Sequence, residues 1–220
     1  MSLDFSRQKN IFNPDNQNLN IHIVGVGSIG SFMALNLAKL GFNDIRVYDF
    51  DKIEKENIPN QFYRKKDIGK QKVECLKEII KDFTGVDIQA NDIEVKEDYE
   101  FEIDLNSVFV FAVDSMEARE MLFEKIKDYP LKILDVRMGG EEYQIYSCDL
   151  SNLQDKDRFS KKLDIKTGNE SCGEKSIIYN ILSIVSESCN IIKMIDKKEP
   201  FPRVINRSMK DYNIFGGKKF

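Results

Sequence analysis

The stretch NIHIVGVGSIGSFMALNLAKLG, residues 20–41, joins a short apolar run to three glycines and then to an apolar pattern at helical spacing. The run Asn20–Val24 predicts a strand, and Ser28–Leu40 predicts a helix that ends at the last glycine. The strand Asp44–Tyr48 follows, and the acidic triplet Asp49–Asp51 comes about twenty residues after the glycines. This order is typical of a βαβ unit that binds a nucleotide.

Composition restricts the class of protein. The chain has 220 residues, 41% hydrophobic and 32% charged, which predicts one globular α/β domain, residues 1–220, with an N-terminal arm 1–19 and a C-terminal tail 197–220. The net charge of -4, with basic and acidic residues interleaved, argues against a nucleic-acid partner. The sequence has no apolar run long enough for a membrane span and no signal-peptide core, so we expect no membrane partner and a cytoplasmic location.

Cysteine and histidine are sparse. The four cysteines, Cys75, Cys148, Cys172 and Cys189, form no C-x-x-C pair, which favours a reduced compartment and argues against zinc or a disulfide framework. The single histidine, His22, lies inside the apolar run IHIV and is therefore predicted to be a packed core residue. Any chemistry is expected to use carboxylates, lysines, arginines or thiols.

Periodicity beyond residue 50 completes the predicted α/β architecture, a mostly parallel sheet flanked by helices with antiparallel strands in the C-terminal half. The predicted helices are Lys70–Phe83, Ser115–Lys127 and Ser176–Ile195, and the predicted strands are Val86–Asn91, Ser107–Val113, Ile133–Val136 and the alternating segment EEYQIYSCDL. Lys52–Lys66 and Leu153–Asn169 are predicted to be polar loops, and the tail from Lys197 to lie on the surface or against a partner.

The glycines alone leave the nucleotide open. Gly25 and Gly27 let backbone N–H groups approach phosphates at a helix N-terminus, and Asp49 suits the ribose of NAD or of ATP equally well. The segment DFDKIEKENIPNQFYRKKDIGKQK, residues 49–72, is unlike a dehydrogenase because it gathers acids, an Asn, a Gln and lysines after the second strand. Asp114 follows another apolar strand, at the end where open α/β sheets bind ligands.

Seven motifs in order carry a family resemblance. FSRQ, GVGSIG, DFD, ENIPNQ, DIGKQK, VDSMEAR and SCGEK resemble the motifs of the ThiF/MoeB/ubiquitin-activating-enzyme superfamily over most of the chain. The combination of RMGGEEYQIY with ENIPNQ makes the sequence more similar to the short ThiF-like proteins of phages and mobile elements than to the housekeeping enzymes of the superfamily. The resemblance implies a Rossmann-like fold, ATP with Mg²⁺, and adenylation of the C-terminal carboxylate of a ubiquitin-like protein or peptide.

The resemblance also implies the site. Its cofactor-binding residues are Gly25, Gly27, Ser28, Ile29, Gly30, Asp49, Asp51, Asn57, Gln61, Lys72 and Asp114. Among these, Asp49 faces the ribose, Asn57, Gln61 and Lys72 face the phosphates, and Asp114 holds the metal. The implied catalytic residues are Gln61, Lys72 and Asp114, with Arg7 as a basic finger that reaches the partner subunit of a homodimer and Cys172 as an acyl acceptor.

Each assignment has a plainer alternative. In these alternatives, Asp114 only caps the following helix, Lys72 is a solvated lysine at a helix start, and Arg7 is an exposed residue with no catalytic part. Cys172 would be buried and inert, and Asp67 would only cap the helix that carries Lys72. Arg119 is predicted to be a structural ion-pair partner, and Arg137 an anchor for phosphate or for the acyl substrate.

The sequence departs from the family pattern at one place that matters for catalysis. Asn60 stands where the family commonly has an arginine before the Gln, so a cation is missing unless Arg64, Arg137 or Arg7 replaces it. Two other functions stay open: an NAD(P)-binding oxidoreductase, since the glycine motif alone does not decide the nucleotide, and a catalytically weakened member that binds a nucleotide or a partner, which Asn60 would indicate.

Overall fold

The computed structural model describes residues 3–163 and 177–210. Its seven strands form one sheet in the order β3-β2-β1-β4-β5-β6-β7. The strands are β1 (Asn20–Val24), β2 (Ile45–Tyr48), β3 (Gln89–Asn91), β4 (Ser107–Phe111), β5 (Lys132–Gly139), β6 (Glu142–Asp149) and β7 (Val204–Ser208). The helices are α1 (Ser28–Leu40), α2 (Lys72–Thr84), α3 (Met116–Ile126), α4 (Leu153–Leu163) and α5 (Ile178–Asp196).

The sheet is parallel from β3 to β5 and antiparallel at β6 and β7, as the sequence predicts. The central strand β4 is buried along its whole length, because helices cover both faces of a parallel sheet. Helices α1, α2 and α5 pack on one face, and α3 and α4 pack on the other over Phe109 and Phe111. No described helix is both long and apolar enough to cross a membrane.

The N-terminal arm packs against the far end of α1. Gly41 ends this helix with a φ of +106°, and a side chain there would collide with Pro14. Gln8 Nε2 donates to the carbonyl oxygen of Leu40 at 2.8 Å, and the ring of Phe5 lies beside Gly41. The arm is therefore held at the C-terminal end of α1, about 20 Å along the helix from its first residue.

The prediction of a loop over Leu153–Asn169 was wrong for its first part, which forms α4. The buried residues Asp155, Phe159 and Leu163 recur every four positions, but the carboxylate at the first of them hides the apolar period. Asn152 Oδ1 starts the helix by accepting from the backbone N–H groups of Gln154 and Asp155.

The C-terminal tail was also predicted incompletely. Val204–Ser208 forms an edge strand, β7, whose Ile205 lies opposite Ile145 of β6. Other bounds also differ: β3 is shorter than Val86–Asn91, β4 ends before Val113, β5 extends beyond Ile133–Val136, and the helix ends shift by one or two residues. Two short 3-10 turns, Lys55–Asn57 and Lys65–Asp67, form in and at the end of the predicted loop Lys52–Lys66. An edge strand with polar residues on both sides gives little periodic signal, so the sequence pattern missed it.

His22 is fully buried, as predicted for a core residue. Its ring stacks on Phe109, and its Nδ1 lies 2.9 Å from the Tyr48 hydroxyl. Burial lowers the pKa of His22 from 6.5 to about 3, with the nearby Arg46 charge adding to the effect.

Because the folded-state pKa of His22 lies below the unfolded value, its neutral form stabilises the fold above pH 6.5, and this contribution is lost as the pH falls toward 3. Between pH 7 and pH 5 we expect the wild type to lose about 2 kcal/mol more unfolding free energy than His22→Phe. Urea unfolding at the two pH values measures the difference. Tyr48→Phe is the control, since it keeps the imidazole and should keep the pH dependence.

Candidate nucleotide site

The carboxyl ends of three neighbouring strands meet at one edge of the sheet. Gly25 follows β1, Asp49 follows β2 and Asp114 comes three residues after β4. β1 lies between β2 and β4, and the helices that follow β1 and β4 pack on opposite faces. This is the crevice where open α/β sheets bind their ligands.

Two of the three glycines shape the turn, and the third leaves space beside it. Gly25 has a φ of +90°, and a Cβ there would lie 2.6 Å from the Ala112 carbonyl oxygen. A Cβ at Gly30 would overlap the Gly25 carbonyl oxygen, whereas the nearest atom to a Cβ at Gly27 is Gln61 Nε2 at 3.9 Å. The backbone beside Gly27 is therefore open to a ligand at the start of α1.

Ser28 and Ile29 form the first turn of α1. The side chain of Ile29 is buried in the core, so only its backbone N–H can face the crevice. An anion at this helix start would meet N–H groups without intrahelical partners, together with the positive end of the helix dipole.

Asp49 braces the glycine turn. Its Oδ2 accepts from the Val26 N–H at 2.8 Å, and its Oδ1 accepts from the Asp51 N–H at 2.9 Å. The side chain is only 9% exposed, and burial raises the pKa of Asp49 although Lys72 and both N–H groups favour its ionised form. A carboxylate oxygen has a second lone pair, so this structural role leaves room for a ribose hydroxyl.

Lys72 brings three of the predicted site residues together. Its Nζ lies 2.7 Å from Asp51 Oδ2 and 4.0 Å from Asp49 Oδ1. The lysine side chain is 7% exposed and Asp51 is half exposed. The amine is therefore a fixed cation at the first residue of α2, not a solvated lysine, and the plainer alternative for this residue is wrong.

The loop after β2 closes over the glycine turn through two residues that the sequence analysis missed. The Tyr63 hydroxyl donates to the Val26 carbonyl oxygen at 2.7 Å. Ser31 Oγ donates to the Gly27 carbonyl oxygen at 2.6 Å and accepts from the Phe62 N–H at 3.0 Å. Burial raises the pKa of Tyr63 well above its usual value, so it stays a donor.

Gln61 and Asn57 differ in what they offer the site. The amide nitrogen of Gln61 faces Gly27, and its Oε1 is buried without a hydrogen-bond partner. The Asn57 Oδ1 instead accepts from the Glu54 N–H at 2.8 Å and closes a 3-10 turn. Gln61 is thus placed beside the open space, whereas Asn57 has a structural role in the loop that carries it.

Asp114 is exposed at the sheet edge. The cap of α3 is Ser115, whose Oγ accepts from the Ala118 N–H at 3.1 Å, so the alternative that Asp114 caps this helix is wrong. Asp67 does not cap α2 either: it is buried between Arg64 and Lys70, and the residue that precedes α2 is Gln71. The carboxylate of Asp114 is available to a ligand.

A single carboxylate fits the metal that the family resemblance implies. The described residues contain no group of three or more His, Cys, Asp or Glu side chains placed to hold an ion. Mg²⁺ is usually held by one or two carboxylates, substrate phosphates and water, not by a cage of protein ligands. The donor set at Asp114 therefore suits Mg²⁺ that arrives with a nucleotide.

Arg119 and Arg137 share the buried carboxylate of Asp135. Arg119 pairs with Asp135 and donates to the carbonyl oxygens of Phe111 and Val136 at 3.2 Å, which confirms the predicted structural role. Arg137 Nη2 lies 2.6 Å from Asp135, and its guanidinium stacks on Tyr146. Arg137 stays partly exposed near the edge.

Two of the three arginines considered as replacements at Asn60 offer no free cation to the crevice of their own chain. Arg64 pairs with three carboxylates, those of Asp67, Glu78 and Asp82. Arg7 is exposed in the arm, at the opposite end of α1 from the glycine turn.

The described cysteines offer no nucleophile. Cys75, Cys148 and Cys189 are free and buried, and burial raises the pKa of Cys148 and of Cys189 to about 12. Cys172, the predicted acyl acceptor, lies outside the described residues.

The glycine turn, the braced acidic loop and the exposed carboxylate at a switch point are typical of nucleotide-binding α/β proteins. The chain belongs to the ThiF family, whose model matches residues 6–218.

Named relatives agree with this assignment. The NEDD8-activating enzyme E1 catalytic subunit of Dictyostelium discoideum is 30% identical over 121 residues, 54% of this chain and 27% of that protein. The same subunit of Arabidopsis thaliana is 37% identical over 106 residues, 46% of this chain and 23% of that protein. The matches thus span about a quarter of these relatives. A crystal structure of E. coli MccB with ATP has a TM-score of 0.71 at 14% identity, covering 90% of this chain and 62% of that one, so it shares the fold.

The different surroundings of the glycines predict opposite phenotypes. Gly27→Ala should cost clearly less unfolding free energy than Gly25→Ala, because the nearest atom to the added methyl group is Gln61 Nε2 at 3.9 Å. It should weaken ATP binding about tenfold or more, since the methyl group enters the space at the helix start. Gly25→Ala should instead cost ~3 kcal/mol or more of stability. Calorimetric ATP titration and thermal unfolding measure both; equal loss of stability in the two variants would contradict this interpretation.

Proposed function

We propose that the protein adenylates a carboxylate with ATP, and that the carboxylate is the C-terminus of a ubiquitin-like protein or peptide. The observation that carries the proposal is one sheet edge that holds an open helix start, the buried cation of Lys72 beside Asp49 and Asp51, and the exposed carboxylate of Asp114. The relatives named above, which are NEDD8-activating enzyme subunits, support the substrate class.

In the proposed reaction, a carboxylate oxygen of the substrate attacks the α-phosphorus of ATP. The bond from that phosphorus to the bridging oxygen of the β-phosphate breaks, and pyrophosphate leaves with the electron pair. No general base is needed because the attacking carboxylate is ionised at neutral pH. The single histidine, His22, is buried in the core and has no part in this reaction.

Specific residues take separate parts in this reaction. The N–H groups at the start of α1 bind phosphate oxygens, and Asp49 holds the ribose while bracing the turn. Lys72 and the amide of Gln61 stabilise charge that grows on the phosphoryl oxygens. Asp114 would hold Mg²⁺, which when bound neutralises charge on the phosphates.

Two rival functions make different demands on the same edge. An NAD(P)-dependent oxidoreductase uses the glycine turn but gives Lys72 and Asp114 no part in its chemistry. A weakened family member would bind ATP without activating a carboxylate, and Asn60 is the feature that favours it. We favour adenylation because Lys72 and Asp114 belong to the same sheet edge as the glycine turn, which supports a part for both side chains in phosphoryl chemistry.

The proposal is tested by ATP–pyrophosphate exchange in the presence of a carboxylate substrate. Asp114→Asn and Lys72→Met should each lower exchange at least about a hundredfold, because the first weakens the site for Mg²⁺ and the second removes a cation that stabilises the transition state. Glu117→Gln, an exposed carboxylate near the start of the same helix, is the matched control and should keep full activity. Full exchange in Asp114→Asn, or a nicotinamide-dependent absorbance change, would exclude this mechanism. Intact-mass analysis of the same mixtures tests the finer proposal that the acyl group passes to Cys172.

The position of Arg7 supports action across a homodimer. The arm lies at the far end of α1 from its own crevice, so the side chain can serve a site only in a second copy. An arginine supplied in this way would replace the cation that Asn60 lacks. We place this dimer in the cytoplasm, where the free described cysteines stay reduced.

Complementation tests the exchange of arms. Arg7→Ala and Asp114→Asn should each be inactive alone, and an equal mixture should recover about a quarter of wild-type exchange. Half of the mixed dimers are then heterodimers, each with one intact site. Sedimentation measures the dimer independently; a monomer, or no recovery in a mixture shown to contain heterodimers, would contradict action in trans.

A further inference from the structure

A cluster of cations surrounds Tyr146 next to the nucleotide site. The Arg137 guanidinium lies 4.8 Å from the centre of the Tyr146 ring, and the Lys162 amine lies 5.9 Å from it. Arg158 and Arg203 line a shallow pocket beside the same ring. We call Arg137, Tyr146, Arg158, Lys162 and Arg203 the basic surface.

The carboxylates of this region are buried and are shared by more than one arginine. Asp155, 5% exposed, pairs with both Arg158 and Arg203. Asp135, fully buried, pairs with both Arg119 and Arg137. Among the described residues, Lys162 forms no ion pair. The cations of the basic surface therefore outnumber these two carboxylates, and they are partly exposed whereas the carboxylates are buried.

This excess has the opposite sign to the chain as a whole, whose net charge is -4. A local charge excess against the overall balance attracts an oppositely charged partner and orients it during encounter. The partner must therefore present carboxylates or phosphates.

The sheet register joins the basic surface to the site. Phe111 of β4 pairs with Asp135 of β5, which sets Arg137 level with the residue just before Asp114. Tyr146 of β6 lies opposite Asp135, and Val204 of β7 lies opposite Tyr146. Three strand intervals separate β4 from β7, a distance of about 15 Å. An extended peptide covers this distance with four or five residues, at about 3.3 Å each.

A polypeptide fits this surface better than a nucleic acid. Tyr146 is only 8% exposed and lies close to the cations of Arg137 and Lys162, so it offers no free face on which a base could stack. The acidic chain would also repel a long polyphosphate outside this patch. Guanidinium groups pair well with carboxylates of a peptide side chain.

We propose that the basic surface binds an acidic segment of the substrate, located about two to five residues before the carboxylate that is activated. This inference rests on the proposed function, because it takes the crevice at Asp114 as the place where the substrate ends. The surface then selects substrates by charge before the chemical step.

Peptide binding without ATP tests the surface directly. The probes are two fluorescein-labelled twelve-residue peptides with a free C-terminus, one with glutamates at the third to fifth positions from the end and one with glutamines there. Wild-type protein should bind the acidic peptide about tenfold more tightly at low salt, and the preference should shrink as salt is added. Fluorescence anisotropy reads the two dissociation constants.

Neighbouring lysines of α4 provide a matched pair of variants. Lys162→Glu should remove the preference for the acidic peptide. Lys161→Glu changes the net charge equally on the same helix, but Lys161 is highly exposed and pairs with Asp157, so this variant should keep the preference. Equal affinity of wild type for the two peptides, or equal effects of the two substitutions, would overturn the proposal.

Pyrophosphate exchange with the same peptides separates this inference from the proposed function. Exchange that runs equally with both peptides and is unaffected by Lys162→Glu would overturn the basic surface and leave adenylation intact. Selective binding that depends on Lys162, without exchange for any peptide or ubiquitin-like protein, would leave the surface intact and overturn adenylation.

Discussion

The nucleotide edge depends on one nearly buried carboxylate. Asp49 accepts hydrogen bonds from the N–H groups of Val26 and Asp51, and so fixes the glycine turn after β1 to the loop after β2. Ionising a carboxyl group at such a site is costly, and Lys72 offsets part of that cost from 4.0 Å away. The same lysine is held by Asp51, so turn, loop and the start of α2 form a single unit. The cation needed for phosphoryl chemistry thereby also stabilises the fold around the crevice.

The nucleotide-binding half of the fold follows from local sequence patterns. The bounds of β1 and α1 match their prediction, because three signals lie within one short segment: an apolar run, two glycines at which a side chain would clash with the backbone, and a helical period. The pattern failed where a buried charge interrupted it, as Asp155 does in α4. It also failed at β7, where pairing with a distant strand, not local periodicity, creates the structure.

The site residues also fall into those that the sequence predicted and those that it missed. Residue type and order brought Asp49, Lys72 and Asp114 to attention, but Ser31 and Tyr63 act through hydrogen bonds between segments far apart in sequence. Their partners are a backbone N–H and a backbone carbonyl oxygen, which every residue type except proline can offer, so the sequence gives no sign of these hydrogen bonds. The sequence also could not tell that Arg64 is occupied by acids of its own surroundings. Arg64 therefore does not replace the cation that is missing at Asn60.

Strand order gives the crevice a place in the folding of the chain. β1 pairs with β4, Asn20 opposite Ser107, and the whole crossover that contains β2, α2 and β3 lies between them in sequence. Contacts between such distant segments form late because a long loop must close first. During synthesis the residues of the glycine turn leave the ribosome well before Asp114 does, because they come earlier in the chain. A ribosome-bound chain that ends before β4 has no complete crevice, so nucleotide can stabilise the protein only after the centre of the sheet has closed.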